Sequence, residues 1–307
     1  MSQPFLTNIV KFRIFGKSPV NAYLRLNQRI WKYLPHSLTS LQPIRSYGNF
    51  LHALVRERAT RGQDFGTLFL RNRPQLELIR RLSDQRKEGS ILRICVLGCS
   101  KGAEVYSILC TIRSSRPDLK VIMHAVDISK EVLEFARRGV YSLKTCEFVG
   151  IPVFGRMSPE EMERFFDKEG EWAKVRAWIK QGITWHVGDA GDFQMPYALG
   201  SHDMVVANNF LCHMDPPNAE RCLHNIARLV TLGGYLFVSG IDLEVRTKVA
   251  QDLHWKPIPD LIEDIHEGDS HLRVDWPLKY WGLEPFNKKR HDWEVRYAST
   301  FQLGEKV

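Results

Sequence analysis

Residues 91–102 read ILRICVLGCSKG, and this stretch decides the fold class. Its first seven residues form a nearly continuous apolar run, which is typical of a strand buried on both faces of a parallel sheet. Gly98 and Gly102 follow, and glycines at such a turn let the backbone approach a ligand without a Cβ clash. A buried strand that passes through a glycine turn into a helix predicts the first βα unit of an α/β sheet.

The strand–helix alternation continues after residue 90. Further strands are predicted at residues 121–126, 183–187, 203–207 and 235–239, and helices at 103–114, 129–139, 158–166 and 217–230. This pattern predicts a Rossmann-like, doubly wound, mostly parallel sheet. We expect Gly233 and Gly234 to turn the chain into the strand at 235–239. Residues 294–302 are expected to form a final antiparallel strand.

The segment before residue 91 has a different pattern. Residues 1–88 lack strand alternation, and apolar side chains recur on one face at 21–34 and at 74–82, which predicts helices. The polar stretch SDQRKEGS at 83–90 suits a linker. We therefore expect an N-terminal helical domain at 1–88 and an α/β domain at 89–307 that ends in a tryptophan-rich extension.

Composition excludes several classes of protein. With 44% hydrophobic and 25% charged residues the chain is typical of globular proteins, and no apolar run approaches the roughly 18 residues of a membrane span. The first twenty residues make a poor signal peptide, and the six cysteines form neither a CxxC pair nor a zinc-ligand spacing. We expect a cytoplasmic protein without a metal site. The net charge of +8 comes without a nucleic-acid-binding motif.

Three features fall at the carboxyl ends of predicted strands, where doubly wound sheets bind ligands. The glycine turn follows the first strand, Asp127 ends the second, and Asn208 with Asn209 ends the strand at 203–207 and presents amides to the crevice. A carboxylate such as Asp127 can accept hydrogen bonds from both hydroxyls of a ribose, although it could also serve as a helix cap. The dinucleotide and P-loop motifs are absent. A ribose acid without a phosphate cradle favours S-adenosyl-L-methionine (SAM), which has a ribose and no phosphate.

Five ordered motifs resemble those of the CheR family of chemotaxis methyltransferases. They are TLFLR at 67–71, GCSKGAEVYS at 98–107, DIS at 127–129 with ARRGVY at 136–141, NFLCHMD at 209–215 and GGYLF at 233–237. The corresponding family patterns are TxFFR, GCSTGEEPYS, DIS followed by AxxGxY, NVLIYFD and GGxLF. Because the motifs occur in the same order over residues 65–240, the chain is identified as a divergent member of that family.

The resemblance implies roles for individual residues. Glu104 would bind the amino group of the methionine part of SAM, Asp127 the ribose, and Asp189 with Ala190 the adenine. The alternative for Glu104 is an ordinary acid in the first turn of a helix. The residues expected to contact the cofactor share positions at or beside the ligand edge of the sheet: Thr67, Arg71, Gly98, Ser100, Gly102, Glu104, Asp127, Ile128, Asp189, Ala190, Asn209 and Phe210.

Two residues are catalytic candidates. Arg71 could guide a carboxylate acceptor with its planar guanidinium, and His213 could act as a base for a hydroxyl acceptor. The alternative for His213 is packing beside the cofactor. His213 stands where the family has Tyr, and Asn208 stands where it has Arg. These departures spare Asp127 and Glu104, so SAM binding is better supported than methylation of glutamate.

We therefore expect a SAM-dependent methyltransferase that releases S-adenosyl-L-homocysteine and methylates an oxygen, carboxylate or hydroxyl, of a small molecule. One alternative is a protein-glutamate O-methyltransferase of the chemotaxis type. Another is a SAM-binding regulatory protein without turnover. The sequence shows no obvious glycine-rich hairpin of the kind that docks receptor tails, and this makes a protein acceptor the less favoured partner.

Overall fold

The structure, a computed structural model, describes residues 19–39, 41–148 and 152–304. The helices are α1 (Pro19–Trp31), α2 (His36–Thr39), α3 (Gln42–Arg58), α4 (Arg73–Asp84), α5 (Ala103–Ser115), α6 (Lys130–Arg138), α7 (Pro159–Phe165), α8 (Ala177–Lys180), α9 (Met195–Leu199), α10 (Pro216–Ala227), α11 (Leu243–Asp252), α12 (Ile262–Glu267), α13 (Ser270–Asp275) and α14 (Trp293–Tyr297). The strands are β1 (Ile91–Leu97), β2 (Lys120–Asp127), β3 (Val140–Ser142), β4 (Phe166–Glu169), β5 (Trp172–Val175), β6 (Ile183–Val187), β7 (His202–Asn208), β8 (Val230–Ser239), β9 (Lys256–Pro257) and β10 (Thr300–Gln302).

The chain divides into two compact units. The first contains the described residues up to Arg61 together with Asp269–Lys288, and the second contains Gly62–Gly268 with the described residues from Lys289 onward. This division differs from the boundary expected at residue 88. The reason is that α4 buries Leu78, Ile79 and Leu82 in the core of the α/β unit. The first eighteen residues, which the sequence assigns to the helical region, lie outside the described residues.

The first unit is built around two tryptophans. Trp31 at the end of α1 and Trp276 after α13 meet edge to face with ring centroids 5.5 Å apart, and Leu51 of α3 completes the buried cluster. Gly48 on α3 lies so close to the Trp276 ring that a Cβ would have no room. Part of the tryptophan-rich segment therefore packs with the N-terminal helices.

The second unit contains the predicted doubly wound sheet. Its strand order is β6-β2-β1-β7-β8-β10-β9, in which β6, β2, β1, β7 and β8 run parallel and β10 is antiparallel to both of its neighbours. The order reverses between β1 and β7, so a crevice opens at their carboxyl ends. This topology confirms the Rossmann-like fold class and places the ligand edge where the sequence predicts it.

Two details of the sheet differ from the sequence-based expectation. Gly233 and Gly234 lie inside β8, because the strand starts at Val230 and its pairing with β7 is irregular between His202 and Met204. The final strand covers only Thr300–Gln302, since residues 293–297 form α14. Two helices begin at serine caps: Ser129 accepts a hydrogen bond from the amide of Val132, and Ser158 forms a capping box with Glu161.

A second, three-stranded sheet was missed from sequence. Its order is β3-β5-β4 with antiparallel pairing throughout, and the β4–β5 hairpin turns at Gly170, whose φ is +59°. This hairpin carries a single glycine at its turn, whereas the expectation from sequence concerned only an obvious glycine-rich hairpin. Phe166 of β4 and Tyr141 of β3 pack edge to face on Phe69, which anchors this sheet to the core of the α/β unit. Among the helices of the described residues, none has both the length and the apolarity required to cross a bilayer.

Candidate active site

The turn between β1 and α5 adopts a conformation that favours glycine at both ends. Gly98 has φ +61°, and a Cβ there would lie 2.7 Å from Cδ1 of Phe210. Gly102, with φ +84°, is the N-cap of α5, and a Cβ there would lie 3.1 Å from the Cβ of Ala136. Ser100 between them also has a positive φ, +49°, and its Oγ donates to a backbone carbonyl at 2.9 Å. The result is a tight loop with bare backbone at the edge of the crevice.

Asp127 ends β2 and is held by backbone amides on both sides. It is 6% exposed, its Oδ2 accepts from the amide of Ser100 at 2.8 Å, and its Oδ1 accepts from the amide of Ser129 at 3.0 Å. Asp127 thus also serves as a turn residue before α6, whose N-cap is Ser129. Each carboxylate oxygen has two lone pairs, so each also keeps an acceptor position for a ribose hydroxyl. Ile128, next along the chain, is 58% exposed and presents an apolar surface beside it.

Glu104 in the first turn of α5 belongs to a buried polar network centred on Asn208. The Nδ2 of Asn208 donates to Oε1 of Glu104 at 2.7 Å and to Oε1 of Gln75 at 2.7 Å, while its Oδ1 accepts from Oγ of Ser239 at 2.8 Å. Burial raises the pKa of Glu104, whereas the hydrogen bond from Asn208 and the positive charge of Arg71 oppose that rise. The network therefore favours an ionised carboxylate in a partly buried place.

Sequence reasoning missed most of this network. Gln75 and Ser239 are not identified as site residues from sequence, and Asn208 is placed at the crevice without an assigned partner. The available signals were a polar side chain at the end of the buried strand β7 and a glutamine beside the apolar positions of α4. Neither signal identifies the hydrogen-bond partner of the Asn208 or the Gln75 side chain.

Arg71 and Thr67 lie in the segment that leads into α4. The positive charge of Arg71 acts on the Glu104 carboxylate and opposes the rise of its pKa. The backbone carbonyl of Arg71 accepts a short hydrogen bond from Arg156, and this contact fixes the segment. Thr67 is half-buried. Arg71 therefore influences the same carboxylate that the Asn208 network holds.

Asp189 and Ala190 follow β6 and border the crevice on the other side. The amide of Gly188 donates to the backbone oxygen of Asp127 at 3.0 Å, and the Nδ2 of Asn225 donates to the backbone oxygen of Ala190 at 2.8 Å. Ala190 is buried, whereas Asp189 is exposed. The first bond ties the β6 loop to the end of β2, and the second ties it to α10, so the residues expected to contact adenine follow directly on a segment bonded to the ribose acid.

The segment after β7 closes the central part of the crevice. Asn209 has φ +61°, and its amide donates to the backbone oxygen of Ser239 at 3.0 Å. The Phe210 ring lies against Gly98. His213 ends a short 3₁₀ helix, Leu211–His213, and its amide donates to the backbone oxygen of Phe210 at 3.1 Å. The residues predicted from the NFLCHMD motif therefore lie beyond the central strand.

The arrangement fits SAM. Asp127 offers acceptors to a ribose, and Glu104 offers a carboxylate to an ammonium. Gly98 and Gly102 let the turn between them pack against Phe210 and Ala136, where a Cβ would crowd these side chains. When bound, SAM supplies an electrophilic methyl group on a sulfonium. Within residues 19–39, 41–148 and 152–304, no cluster of three or more His, Cys, Asp or Glu side chains is arranged to hold a metal ion.

Comparison with known proteins agrees with this site. Residues 66–249 match the family model described as CheR methyltransferase, SAM binding domain. A chemotaxis protein methyltransferase of Vibrio parahaemolyticus is 30% identical over 154 residues, which cover 48% of this chain and 52% of that protein. Chemotaxis protein methyltransferase 1 of Pseudomonas aeruginosa is 32% identical over 179 residues, covering 55% and 59%. The chain thus spans little more than half the length of these relatives.

Proposed function

This chain belongs to the family of CheR methyltransferases, and on that premise we propose that it transfers the methyl group of SAM to a carboxylate oxygen of a protein side chain. The observation that carries the proposal is the pair of carboxylates at one sheet edge. Asp127 keeps two free acceptor positions, and Glu104 is oriented by an amide and lies near a cation. Such a pair suits the ribose and the ammonium of SAM.

A carboxylate acceptor follows from the charges at the site. A carboxylate is ionised at neutral pH and needs no general base, because its usual pKa is near 4. It does need a cationic guide, and Arg71 supplies a planar, permanently charged guanidinium near Glu104. With the acceptor held close to the methyl carbon, positioning alone can lower the barrier by as much as about 7–11 kcal/mol.

A protein acceptor is favoured over the small molecule expected from sequence. The similar proteins are named as chemotaxis protein methyltransferases. In addition, the small sheet β3-β5-β4 ends in the edge strand β4, where Asp167, Lys168 and Glu169 are exposed. An exposed edge strand can pair with an extended segment of another protein. The six cysteines are free thiols, and we keep a cytoplasmic location as part of this proposal.

The test compares Arg71→Ala and Arg71→Lys with the natural protein. We expect Arg71→Ala to lower the rate of methyl transfer by about 100-fold, the effect of losing a charge-assisted contact made at the reacting group. Arg71→Lys keeps the charge but not the planar guanidinium, so its rate of methyl transfer should lie between those of Arg71→Ala and the natural protein. The affinity for S-adenosylhomocysteine, measured by calorimetry, should change by less than about 3-fold. Equal loss of affinity and rate would assign Arg71 to the cofactor or to the fold.

The acceptor itself is tested with SAM that carries a labelled methyl group. Label that enters the protein fraction of a cell extract and leaves as methanol on mild alkaline treatment would support a protein carboxylate. Label found only in small metabolites would return the proposal to a small-molecule acceptor. Tight binding of S-adenosylhomocysteine without turnover on any acceptor would instead indicate a regulatory SAM-binding protein.

A further inference from the structure

Asn208 uses both amide hydrogens and the carbonyl oxygen of its side chain inside the site. Its two amide hydrogens go to Glu104 and Gln75, and its carbonyl oxygen accepts from the hydroxyl of Ser239. Both acceptors of the hydrogens are oxygens, so the orientation of the amide is fixed. The three partners come from α5, α4 and the end of β8. Asn208 therefore couples three separate elements to one carboxylate.

Gln75 supports the orientation of the Asn208 amide. The residue is 5% exposed, and its Nε2 has no hydrogen-bond partner within the described parts of the chain. Turning the Gln75 amide over would place its NH₂ against the NH₂ of Asn208, so Gln75 keeps its oxygen toward Asn208 at the expense of its own donor. The amide of Asn208 is thereby held in place from the side opposite to Glu104.

The neutrality of Asn208 matters for the charge of Glu104. A cationic side chain at this position would form an ion pair with the carboxylate, whereas an amide orients the carboxylate without neutralising it. Asn208 binds only Oε1 of Glu104, so this contact leaves Oε2 available to a ligand. Among the described residues, Arg71 is the charged group that acts on the pKa of Glu104. Glu104 in turn contributes to the raised pKa of the Cys99 thiol, which is due mainly to burial.

We propose that Asn208, supported by Gln75 and Ser239, is a positioning residue that aims the Glu104 carboxylate at the amino group of the methionine part of SAM. This inference rests on the proposed function, because it needs a cofactor with an ammonium group. It assigns Asn208 no contact with the reacting atoms. It also explains how a chain with Asn at this strand end keeps a working site for the amino-acid part of the cofactor.

The experiment uses two ligands that differ at this end only. S-adenosylhomocysteine carries the amino acid, whereas 5′-methylthioadenosine has the same nucleoside and thioether without it. Calorimetry on Asn208→Leu, which keeps the approximate size and removes the amide, should show about 10-fold weaker binding of S-adenosylhomocysteine, the effect of one lost hydrogen bond to a charged group. Binding of 5′-methylthioadenosine should change by less than about 2-fold.

The pH profile gives a readout that a purely structural role would not move. Without the Asn208 amide, burial raises the pKa of Glu104 further, so the Glu104 carboxylate of Asn208→Leu should take up a proton at a higher pH than that of the natural protein. On acidification, the affinity of the variant for S-adenosylhomocysteine should therefore begin to fall at a higher pH than that of the natural protein. In the double variant Glu104→Gln/Asn208→Leu this pH dependence should disappear, and the loss should not exceed that of Glu104→Gln alone.

Asn225→Leu is the matched control. Asn225 is also a buried asparagine, but its amide donates to the backbone of Ala190 and Asp192. Its loss should weaken both ligands alike. The same equal weakening in Asn208→Leu, or no weakening at all, would overturn the inference. If Asn208→Leu fails to fold, Ser239→Ala replaces it with the same expected selectivity. Failure of the natural protein to bind either ligand would instead sink the proposed function.

Discussion

The two ends of the candidate site are held by different kinds of atoms. At the ribose end, Asp127 is fixed by the backbone amides of Ser100 and Ser129. At the methionine end, Glu104 is fixed by the side chain of Asn208, which Gln75 supports in turn. Backbone donors persist through most substitutions, whereas side-chain donors are lost with one. The ribose end should therefore depend on its own acid and on loop shape, and the methionine end on a network.

Removing the acid of the ribose end should have the largest effect. Asp127→Ala deletes the carboxylate that would accept from two ribose hydroxyls, and each such charge-assisted bond contributes about 1.5–3 kcal/mol. We expect a loss of at least about 100-fold in affinity for both S-adenosylhomocysteine and 5′-methylthioadenosine, measured by calorimetry. Asp127→Asn, which keeps one acceptor, is the control and should retain part of the affinity. Undiminished binding by Asp127→Ala would refute the assignment of the ribose end.

Changing the loop shape comes next. Gly98→Ala places a side chain at φ +61° and brings its Cβ within 2.7 Å of the Phe210 ring. We expect the free energy of unfolding to fall by about 2–3 kcal/mol, with weaker binding of both ligands. Gly89→Ala is the matched control, because Gly89 has φ +69° but nothing within 4 Å of a Cβ. The free energy of unfolding of Gly89→Ala should fall only by the cost of placing alanine in the left-handed backbone conformation, about 1–2 kcal/mol. Denaturant unfolding of both variants measures the difference.

Acidification should lower the stability of the fold through a buried histidine. His202 is 1% exposed, and burial lowers its pKa to about 4, below the value of about 6.5 in the unfolded chain. The neutral form is favoured in the folded state, so this stability is present above about pH 6.5 and is lost as the pH falls toward 4. The loss should reach about 2 kcal/mol by pH 5.

Denaturant unfolding at about pH 7.5 and pH 5 checks this, with His202→Gln as the variant. The variant should show a smaller pH dependence. His124 and His186, whose pKa values are also lowered by burial, should retain some of it. If His202→Gln and the natural protein lose the same free energy, the acid sensitivity has another source.

The smallest effect is expected from a substitution at the N-cap of α7, which belongs to neither end of the site. Ser158→Ala removes the hydroxyl that caps α7 and accepts from the amide of Glu161 at 3.3 Å. Such a cap contributes about 1 kcal/mol, so the melting temperature should fall by a few degrees. Affinity for S-adenosylhomocysteine should stay unchanged. A change in this affinity would show that the stability of α7 is coupled to ligand binding at the site.

The comparison also shows which parts of the site can be predicted from sequence. The ribose end can, because its signals are local: the buried run of β1, the glycines at 98 and 102, and Asp127 followed by a serine cap all lie within one βαβ unit. The methionine end cannot, because Gln75 and Asn208 are 133 residues apart and only the folded sheet brings them together. In the sequence alone, Asn208 is noticeable because it replaces the arginine of the family pattern.

Length explains the fold elements that the sequence did not predict. β3, β4 and β5 have three or four residues each, too few for alternation of apolar and polar side chains to stand out. Between Trp293 and Gln302 a short helix and a short strand follow one another, and together they resemble one longer strand. In β8, the two glycines suggest a turn, although pairing with β7 carries the strand through them.

The tryptophan pair of the first unit affects how the protein is made and how it can be divided. Helices α1 and α3 leave the ribosome early, but Trp276, which packs on Trp31 and over Gly48, is translated only after the whole Rossmann-like sheet up to β8. These helices cannot complete their aromatic core until then. For the same reason, no single cut releases the α/β unit: removing the residues up to Arg61 alone would leave Trp276 without its partner, so residues 269–288 must be replaced by a linker as well.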